Sequence, residues 1–440
     1  MSQPENPNLP TLDHKPHAAF FRQSGWLMTA TIVGGALAYG VHVLAKASSV
    51  SKSEYAAFGT LLMLVACLPN LPLQMIFTQQ TALALAQGKE RQLGSTIRLA
   101  SLCTFLLWLP AAILVLVFQN QIVTGWHLPN VAALWVTLVV LLLSLWLPMF
   151  LGVLQGRQDF FWMGWSNILT GFGRVAGAAF LVLLFSFGAT GMMIGALIGV
   201  GIGVLVPIIR TRDLWTLPAE SFDWKNILRQ VIPLFFGFGA CQFLFTSDTM
   251  FVKAFFSDDE MGPYVAAGTL SRGLLWLVMP LAAVMFPKLV RSRARNEQSN
   301  LFGIVVLGTA VLSICGGLGL WLFGPLAIKI VYKSTYLGAA ALIPWYAAAM
   351  VPLAMANVLV NFLLAAGRFA VVPFMLALAV AYGFTLPWML NHFPGHIQIA
   401  LQTLGAFNLL LFGVCAWFAW HGEKKSKLAA AASPAITAVK

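Results

Sequence analysis

The sequence predicts an all-α membrane protein of about twelve transmembrane helices, arranged as two six-helix lobes related by a parallel internal repeat. Three observations lead to this fold class: an apolar composition, hydrophobic stretches of membrane-spanning length, and a short motif that occurs twice. Of the 440 residues, 59% are hydrophobic and only 9% are charged, against about 25% charged residues in an average soluble domain. Such a chain fits lipid rather than water as its solvent.

Twelve apolar stretches are long enough to cross a bilayer, whose hydrocarbon core needs roughly 20 residues per helix. They are Gly25–Ala45, Tyr55–Phe77, Ile97–Phe118, Val131–Leu154, Phe161–Phe187, Gly191–Ile209, Val231–Phe256, Tyr264–Phe286, Leu301–Phe323, Ala339–Leu364, Phe369–Leu390 and Ile399–Trp417. They divide the chain into a cytoplasmic leader (1–23), a first lobe (24–210), a cytoplasmic linker (211–230), a second lobe (231–420) and a disordered basic tail (421–440).

Basic residues between the spans predict the orientation, because cytoplasmic loops carry an excess of Lys and Arg. With a cytoplasmic N-terminus, nineteen of the 26 basic residues lie on the cytoplasmic side. The other side holds five, namely Lys46, Lys52, Lys253, Lys329 and Lys333. We therefore expect a multi-pass protein of the cell (inner) membrane with both termini in the cytoplasm.

A repeated motif indicates that the two lobes arose by duplication. Tyr55–Leu61 and Tyr264–Leu270 share five of seven residues at an offset of 209. Gly156-Arg157 and Gly367-Arg368 match at an offset of 211. Because each half has an even number of spans, both halves have the same orientation, and a binding cavity is expected between them.

Prolines and glycines mark special points within the spans. Pro69 and Pro72 interrupt the second span, and Pro280 lies near the matching point of the eighth. Such breaks are kinks tolerated by packing or hinges for alternating access. Glycines recur every fourth residue along the sixth span, at Gly191, Gly195, Gly199 and Gly203. This spacing favours close helix packing, with a sliding surface as the alternative.

Three charged residues fall inside spans, namely Arg174, Asp248 and Arg272. Each charge facing lipid at mid-bilayer would cost on the order of 2.5 to 3.5 kcal/mol, so all three should face the bundle interior or water. Asp248 and Arg272 lie at a common depth, each about 12 Å from the outer end of its helix. A structural ion pair between them is one interpretation, and a part in substrate binding is the other.

Arg174 has no acidic partner in any predicted span. We therefore expect it to line a hydrated cavity and to meet an anion, because the planar guanidinium can grip phosphate oxygens with two hydrogen bonds. Packing within the bundle is the alternative. The candidate substrate-binding residues are thus Arg174 and Arg272, with Asp248 as a charge partner.

Several other classes of function lack their sequence signals. No Gly-x-x-x-x-Gly-Lys-Ser/Thr or His-Glu-x-x-His motif occurs, and the five cysteines form no Cys-x-x-Cys pair. We predict no catalytic residue, no metal site and no cofactor, and no acid/base pair that would indicate an enzyme. The basic residues are scattered between spans, so no nucleic-acid partner is predicted.

The chain resembles the polysaccharide exporters, of the O-antigen and teichoic-acid type, in the multidrug/oligosaccharidyl-lipid/polysaccharide flippase superfamily. The likeness covers nearly the whole chain. It rests on Leu154–Arg157, Phe160, Asn167, Arg174, Asp248–Lys253, Asp259–Tyr264, Arg272, Pro287, Gly324, Tyr336 and Leu364–Arg368.

The resemblance implies a flippase that moves a lipid-linked oligosaccharide from the inner to the outer leaflet, with its diphosphate in a cationic central cavity. Membrane lipids are implied partners, and a coupling ion and glycan polymerase or glycosyltransferase partners stay open. The alternatives are a multidrug exporter of the same superfamily, a lipid II flippase and, more remotely, a membrane-embedded glycan polymerase or ligase. A multidrug exporter would want buried carboxylates, and the first half has none in a span.

Overall fold

The computed structural model describes residues 16–43, 52–66, 68–125, 128, 130–221, 224–256, 258–294, 301–331 and 334–432. Within these ranges the chain forms helices and no strand. The first half comprises α1 (Pro16–Val43), α2 (Lys52–Ala66), α3 (Asn70–Gln87), α4 (Glu90–Val117), α5 (Gln119–Gly125), α6 (Val131–Arg157), α7 (Phe160–Phe185) and α8 (Gly188–Arg210).

A short helix, α9 (Arg212–Trp215), leads to the second half. The second half comprises α10 (Trp224–Phe255), α11 (Asp258–Ala294), α12 (Leu301–Val331), α13 (Ile343–Ala365), α14 (Val372–His392) and α15 (Ile397–Ala432). Two 3-10 segments, Ser334–Ala341 and Phe369–Val371, precede α13 and α14. Here "first half" denotes α1 to α8 and "second half" denotes α10 to α15.

Eleven of the described helices are long and apolar enough to cross a membrane. Many of their large apolar side chains face outward, such as Leu107 of α4, Leu307 of α12 and Phe384 of α14. In water such a surface would aggregate, whereas in a bilayer it contacts lipid tails. The protein is therefore a multi-pass membrane protein, and the predicted fold class is confirmed.

The second predicted span is the one that differs most from a single long helix. The structure divides it into α2 and α3, with α3 beginning directly after Pro69. Pro69 and Pro72 lack backbone N–H donors, so neither can supply the hydrogen bond that would continue a helix through this point. α2 contacts α6 and α8, while α3 runs beside the last turns of α6. The two short helices together therefore take the place of one span.

The glycine repeat of the sixth span packs α8 closely against α7. A β-carbon at Gly199 would lie only 2.4 Å from the backbone carbonyl oxygen of Thr170, and one at Gly195 would lie 2.5 Å from the backbone nitrogen of Ala178. Any larger residue would push the helices apart. The packing interpretation of these glycines is therefore the one that the structure supports.

The predicted linker is more ordered than a simple loop. Arg157 at the end of α6 forms two hydrogen bonds with the Asp213 carboxylate, of 2.8 and 2.9 Å. Partial burial acts to raise the pKa of Asp213, but the hydrogen bonds and charge of Arg157 outweigh it and hold that pKa below its ordinary value. Arg98 of α4 donates to the carbonyl oxygens of Trp215 and Leu217. The beginning of the linker is thus fixed to the first half, and α10 begins at Trp224 rather than at residue 231.

The first and last described helices extend further than predicted. α1 begins at Pro16 within the predicted leader, and α15 continues to Ala432 through the segment predicted to be a disordered tail. Four consecutive alanines, from residue 429 to 432, explain the longer α15, because alanine has the strongest helix propensity. The remainder of the leader and of the tail lies outside the described residues.

Candidate substrate cavity and buried charges

A cavity of about 310 Å³ lies between the two halves. The first half contributes α1, α3, α6 and α7 to its wall, and the second half contributes α10, α11 and α13. Its lining residues are Leu27, Thr31, Leu68, Asn70, Leu71, Gln74, Met75, Leu151, Met163, Asn167, Gln242, Met279, Pro280, Ala282, Ala283, Asn357 and Asn361. The cavity therefore lies where the internal repeat predicts a binding site.

The predicted proline breaks border this cavity. Pro280 of α11 lines it directly, and Leu68 and Asn70, on either side of Pro69, line it from the opposite half. A proline leaves a carbonyl of the preceding turn without its helical donor, so the local backbone is more polar there. Non-helical backbone at membrane depth is tolerated where it lines a cavity, and the break before α3 at Leu68 and Pro69 fits that rule. At Pro280 the predicted break is not seen, because α11 continues through it as one helix.

The polar groups of the cavity are side-chain amides. Six amides line it, from α3, α7, α10 and α13, and none of its described lining residues is charged. They are Asn70, Gln74, Asn167, Gln242, Asn357 and Asn361. The resemblance implies a cationic central cavity, whereas the described lining residues form an uncharged one.

Gln155 joins the two halves beside the cavity. It is fully buried on α6 and accepts a hydrogen bond of 2.8 Å from Gln74 of α3. Its own Nε2 donates to the carbonyl oxygen of Ala283 on α11, also at 2.8 Å. Both Gln74 and Ala283 line the cavity. The hydrogen bonds of Gln155 therefore connect the two walls directly.

Two further contacts join the halves, each nearer the ends of helices that line the cavity. Gln80 of α3 donates to Gln230 of α10 at 3.3 Å, and the ammonium group of Lys288 on α11 lies 5.9 Å from the ring centre of Phe20 on α1. The contacts of Gln155, Gln80 and Lys288 all lie on the same side of the cavity. It is the side on which α1 begins. This side of the cavity is thus held closed by contacts between the halves.

The ion pair predicted between Asp248 and Arg272 is present. Nη2 of Arg272 on α11 donates to Oδ1 of Asp248 on α10 at 2.5 Å, and the aspartate is fully buried. Arg272 also donates to Oγ1 of Thr249 at 2.8 Å and to the carbonyl oxygen of Phe245 at 3.1 Å. Buried charges are tolerated when they are paired and hydrogen-bonded, as these are.

Two tyrosines complete the coordination of this carboxylate. Tyr264 of α11 donates to Oδ2 of Asp248 at 2.9 Å, and Tyr346 of α13 donates to the same oxygen. The guanidinium carbon of Arg272 lies 5.4 Å from the ring centre of Tyr346. Three helices of the second half therefore meet at one aspartate.

Tyr346 was not among the predicted site residues, although the sequence carries one signal for it. The chain has only seven tyrosines, and a tyrosine inside an apolar span needs a hydrogen-bond partner for its hydroxyl. Tyr264 opens the second copy of the repeated motif and ends the segment Asp259–Tyr264 that supports the resemblance, but neither pattern indicates a contact with Asp248.

Arg174 lies within the first half, apart from the cavity. Its Cβ faces Gly199 of α8, and its guanidinium carbon lies 6.0 Å from the ring centre of Phe58 on α2. The ring of Phe58 also contacts His42 of α1, with 5.8 Å between ring centres. Four helices, α1, α2, α7 and α8, thus surround Arg174.

The guanidinium of Arg174 has one complete edge without a hydrogen bond. Nε and Nη2, which form that edge, are buried and have no partner among the described residues. An arginine uses this same edge to bind a carboxylate or phosphate with two parallel hydrogen bonds. Arg174 therefore differs from Arg272, whose charge is balanced by Asp248.

Neither predicted arginine lines the cavity between the halves. A part for Arg174 or Arg272 in substrate binding stays a prediction. Among the described residues, no group of three or more His, Cys, Asp or Glu side chains is placed to hold a metal ion.

Solved structures of MATE transporters share the fold of this chain. A mutant of the Vibrio cholerae MATE transporter VcmN matches with a TM-score of 0.72 and 14% identity, over 93% of this chain and 98% of that chain. A MATE structure in the straight conformation matches with a TM-score of 0.77 and 12% identity, over 93% and 96%. An outward-facing multidrug resistance MATE family transporter of the MOP superfamily matches with a TM-score of 0.72 and 11% identity, over 93% and 96%.

Sequence comparison assigns the family. No curated protein sequence matches the chain. Residues 20–293, well over half of the chain, match the family described as polysaccharide biosynthesis protein. Together with the MATE-like fold, this match confirms the predicted superfamily. The chain therefore belongs to the polysaccharide biosynthesis protein family, and it has the fold of the MATE transporters.

Proposed function

We propose that this protein moves a lipid-linked oligosaccharide from the inner to the outer leaflet of the cell membrane for polysaccharide synthesis. The observation that carries the proposal is the cavity between the two halves, in a chain whose family is that of polysaccharide biosynthesis proteins. A site at the interface of two repeats is typical of transporters that work by alternating access. The protein acts in this proposal as a transporter and not as an enzyme.

Alternating access requires that the contacts between the halves break on one side of the cavity and form on the other. With both termini in the cytoplasm, as the distribution of basic residues favours, the contacts of Gln155, Gln80 and Lys288 lie on the cytoplasmic side. The structure then corresponds to a state closed toward the cytoplasm. Loading of a substrate from the inner leaflet requires these contacts to open.

Arg174 is proposed to bind the diphosphate of the substrate. Its free edge offers the two parallel donors that phosphate oxygens accept. Arg174 follows Asn167, a cavity residue, by seven positions on α7. Seven residues are nearly two helical turns, or about 10 Å, so both side chains lie on a similar face of α7. For one lipid-linked glycan to contact both the cavity and Arg174, the buried edge of Arg174 has to become accessible during the transport cycle.

Arg272 is a weaker candidate for binding an anion. Its guanidinium already bonds to Asp248, Thr249 and the carbonyl of Phe245. Breaking a buried pair costs on the order of 3 to 5 kcal/mol, which an incoming phosphate would have to repay. We propose that the pair positions α10 and α11 in the second half.

The multidrug exporter is the second candidate, because solved structures with this fold include a multidrug resistance transporter. Export of organic cations would be favoured by carboxylates in the cavity. The described lining residues include none, and Asp248 is buried and paired outside the cavity. The chemistry of the cavity therefore favours the glycan substrate.

Deletion of the gene tests the proposal. We expect lipid-linked oligosaccharide to accumulate in the cell, as measured by mass spectrometry of extracted lipids, and surface polysaccharide to fall. Expression of the wild-type chain should reverse both effects. Unchanged surface polysaccharide together with greater sensitivity to lipophilic cations would support the multidrug exporter instead.

A further inference from the structure

Three amides of the cavity have no hydrogen bond to any other described residue. They are the side chains of Asn70 on α3, Asn167 on α7 and Gln242 on α10. The other three form bonds to neighbouring groups: Gln74 donates to Gln155, and Asn361 donates to Asn357, although Oδ1 of Asn361 is buried and has no partner among the described residues. The open amides thus come from both halves and lie around one space.

An amide presents two N–H donors and one carbonyl acceptor on the same small group. Asn70 is exposed and Asn167 and Gln242 are half-buried at the cavity, so water or a guest can reach these amides and satisfy their hydrogen-bonding groups. A guest that satisfies them must both donate and accept hydrogen bonds at several positions. It should also be uncharged, because the described lining residues provide no countercharge.

We infer that the cavity is a binding site for an uncharged sugar ring, and that Asn70, Asn167 and Gln242 determine this specificity. Sugar hydroxyls both donate and accept hydrogen bonds, which matches the two functions of each amide. A diphosphate only accepts hydrogen bonds, so it would use the amide N–H groups and leave the amide carbonyls without a donor. An organic cation would find no carboxylate here.

The size of the cavity fits a small headgroup rather than a long polymer. Its volume of about 310 Å³ is at the lower end of the 300 to 1,000 Å³ typical of small-molecule sites. We therefore assign it to one or two sugar rings at a time. Leu27, Leu71, Met75 and Leu151 add apolar walls between the amides, against which the C–H faces of a sugar ring can pack.

This inference rests on the proposed function, but it predicts a binding preference that can be measured separately on the wild-type protein. Purified full-length protein in lipid nanodiscs is titrated with two probes, a polyprenyl diphosphate and the same lipid bearing one uncharged hexose. The hexose-bearing probe should bind about five- to tenfold more tightly, as expected for one or two net hydrogen bonds.

Two variants on different halves locate the effect. Asn167→Leu and Gln242→Leu keep much of the side-chain volume and remove the polar group, and either should abolish the preference for the hexose while bare diphosphate binding persists. Gln402→Leu, which changes an exposed amide of α15, is the matched control and should keep the preference. Thermal unfolding of each purified protein identifies a variant that has lost its fold.

The outcomes separate the inference from the proposed function. Equal binding of both probes to the wild-type protein would overturn the sugar site and leave transport of a lipid diphosphate intact. Loss of the preference in Gln402→Leu as well would also overturn the assignment to the cavity. Binding of tetraphenylphosphonium with no binding of either lipid probe would overturn both the inference and the proposed function.

Discussion

Gln155 of the first half donates a hydrogen bond to the backbone carbonyl of Ala283 in the second half, with a nitrogen-to-oxygen distance of 2.8 Å. The same side chain accepts from Gln74, so one buried amide connects two walls of the central cavity. In an alternating-access transporter such a bond must break in every cycle. In the proposed transport cycle, a substitution of Gln155 should therefore change the balance between the two conformations.

Replacement of Gln155 by leucine should favour opening on the cytoplasmic side. It removes both hydrogen bonds at similar volume and leaves the amide of Gln74 without this partner, at a cost of about 1 to 3 kcal/mol to the closed state. A cysteine placed at Asn167, in a background without the five native cysteines, reports the opening. A membrane-impermeant maleimide should label it faster in inside-out vesicles of the variant.

The matched control for this experiment is Gln402→Leu, which alters an exposed amide. It should leave the labelling rate unchanged. An equal rate in the Gln155→Leu protein and the parent would show that the Gln155 bonds do not hold the cytoplasmic side closed.

Single replacements of Asp248 or Arg272 should destabilise the protein more than removal of one tyrosine hydroxyl. Asp248→Asn or Arg272→Leu leaves a buried partner without its countercharge, which costs on the order of 3 to 5 kcal/mol. Tyr346→Phe removes one bond to the carboxylate and should cost about 1.5 to 3 kcal/mol, as hydrogen bonds to charged groups do. Thermal unfolding in detergent measures the order.

Exchange of the two charges should restore part of the lost stability, because opposite charges again face each other between α10 and α11. The restoration should be incomplete, since the hydroxyls of Tyr264 and Tyr346 donate to the original carboxylate. Additive defects in the exchanged protein would show that the two charges are not coupled.

Arg174→Ala should block transport without preventing insertion or folding. The two buried nitrogens that it removes have no partner among the described residues, so little stability should be lost with them. Arg174→Lys should rescue transport in part, because it keeps the positive charge but loses the two-pronged geometry. The readouts are surface polysaccharide and the amount of membrane-inserted protein.

Normal surface polysaccharide in the Arg174→Ala strain, at normal protein levels, would refute binding of the diphosphate by Arg174. The residue would then serve the packing of α7 against α8, where its Cβ faces Gly199.

Both termini should lie in the cytoplasm, as the distribution of nineteen basic residues against five predicts. A fusion of alkaline phosphatase after Glu423 should be inactive, because this enzyme needs the periplasm to fold. A fusion after His127 should be active. The opposite pattern would reverse the assignment of the cytoplasmic side.

Much of the fold followed from the sequence because lipid imposes simple rules on length and polarity. Span lengths, the repeat at an offset of 209 and the tight glycines of α8 could all be read directly. The pair of Asp248 and Arg272 could be predicted because a buried charge has few alternatives to a partner. Helix boundaries were less certain, as the longer α15 and the docked linker demonstrate.

The cavity could not be predicted in detail for a physical reason. An asparagine or glutamine in a span costs far less than a charge, so Asn70, Asn167 and Gln242 gave no strong sequence signal. Which of them face one another depends on the rotation of each helix, and packing between helices sets that rotation. The same limit applies to Arg174. The sequence predicts that it faces the bundle interior or water, but it does not predict that Arg174 lies outside the cavity.

Reconstitution into liposomes tests the central claim most directly. A fluorescent lipid-linked oligosaccharide is placed in both leaflets, and a membrane-impermeant glycosidase is added outside. With the wild-type protein, the glycosidase should cleave nearly all of the glycan, since the inner-leaflet fraction is carried to the outer leaflet. Two results together would contradict the proposed function. The glycosidase would cleave only the outer-leaflet fraction, as in protein-free liposomes, and the same protein would carry tetraphenylphosphonium across these membranes.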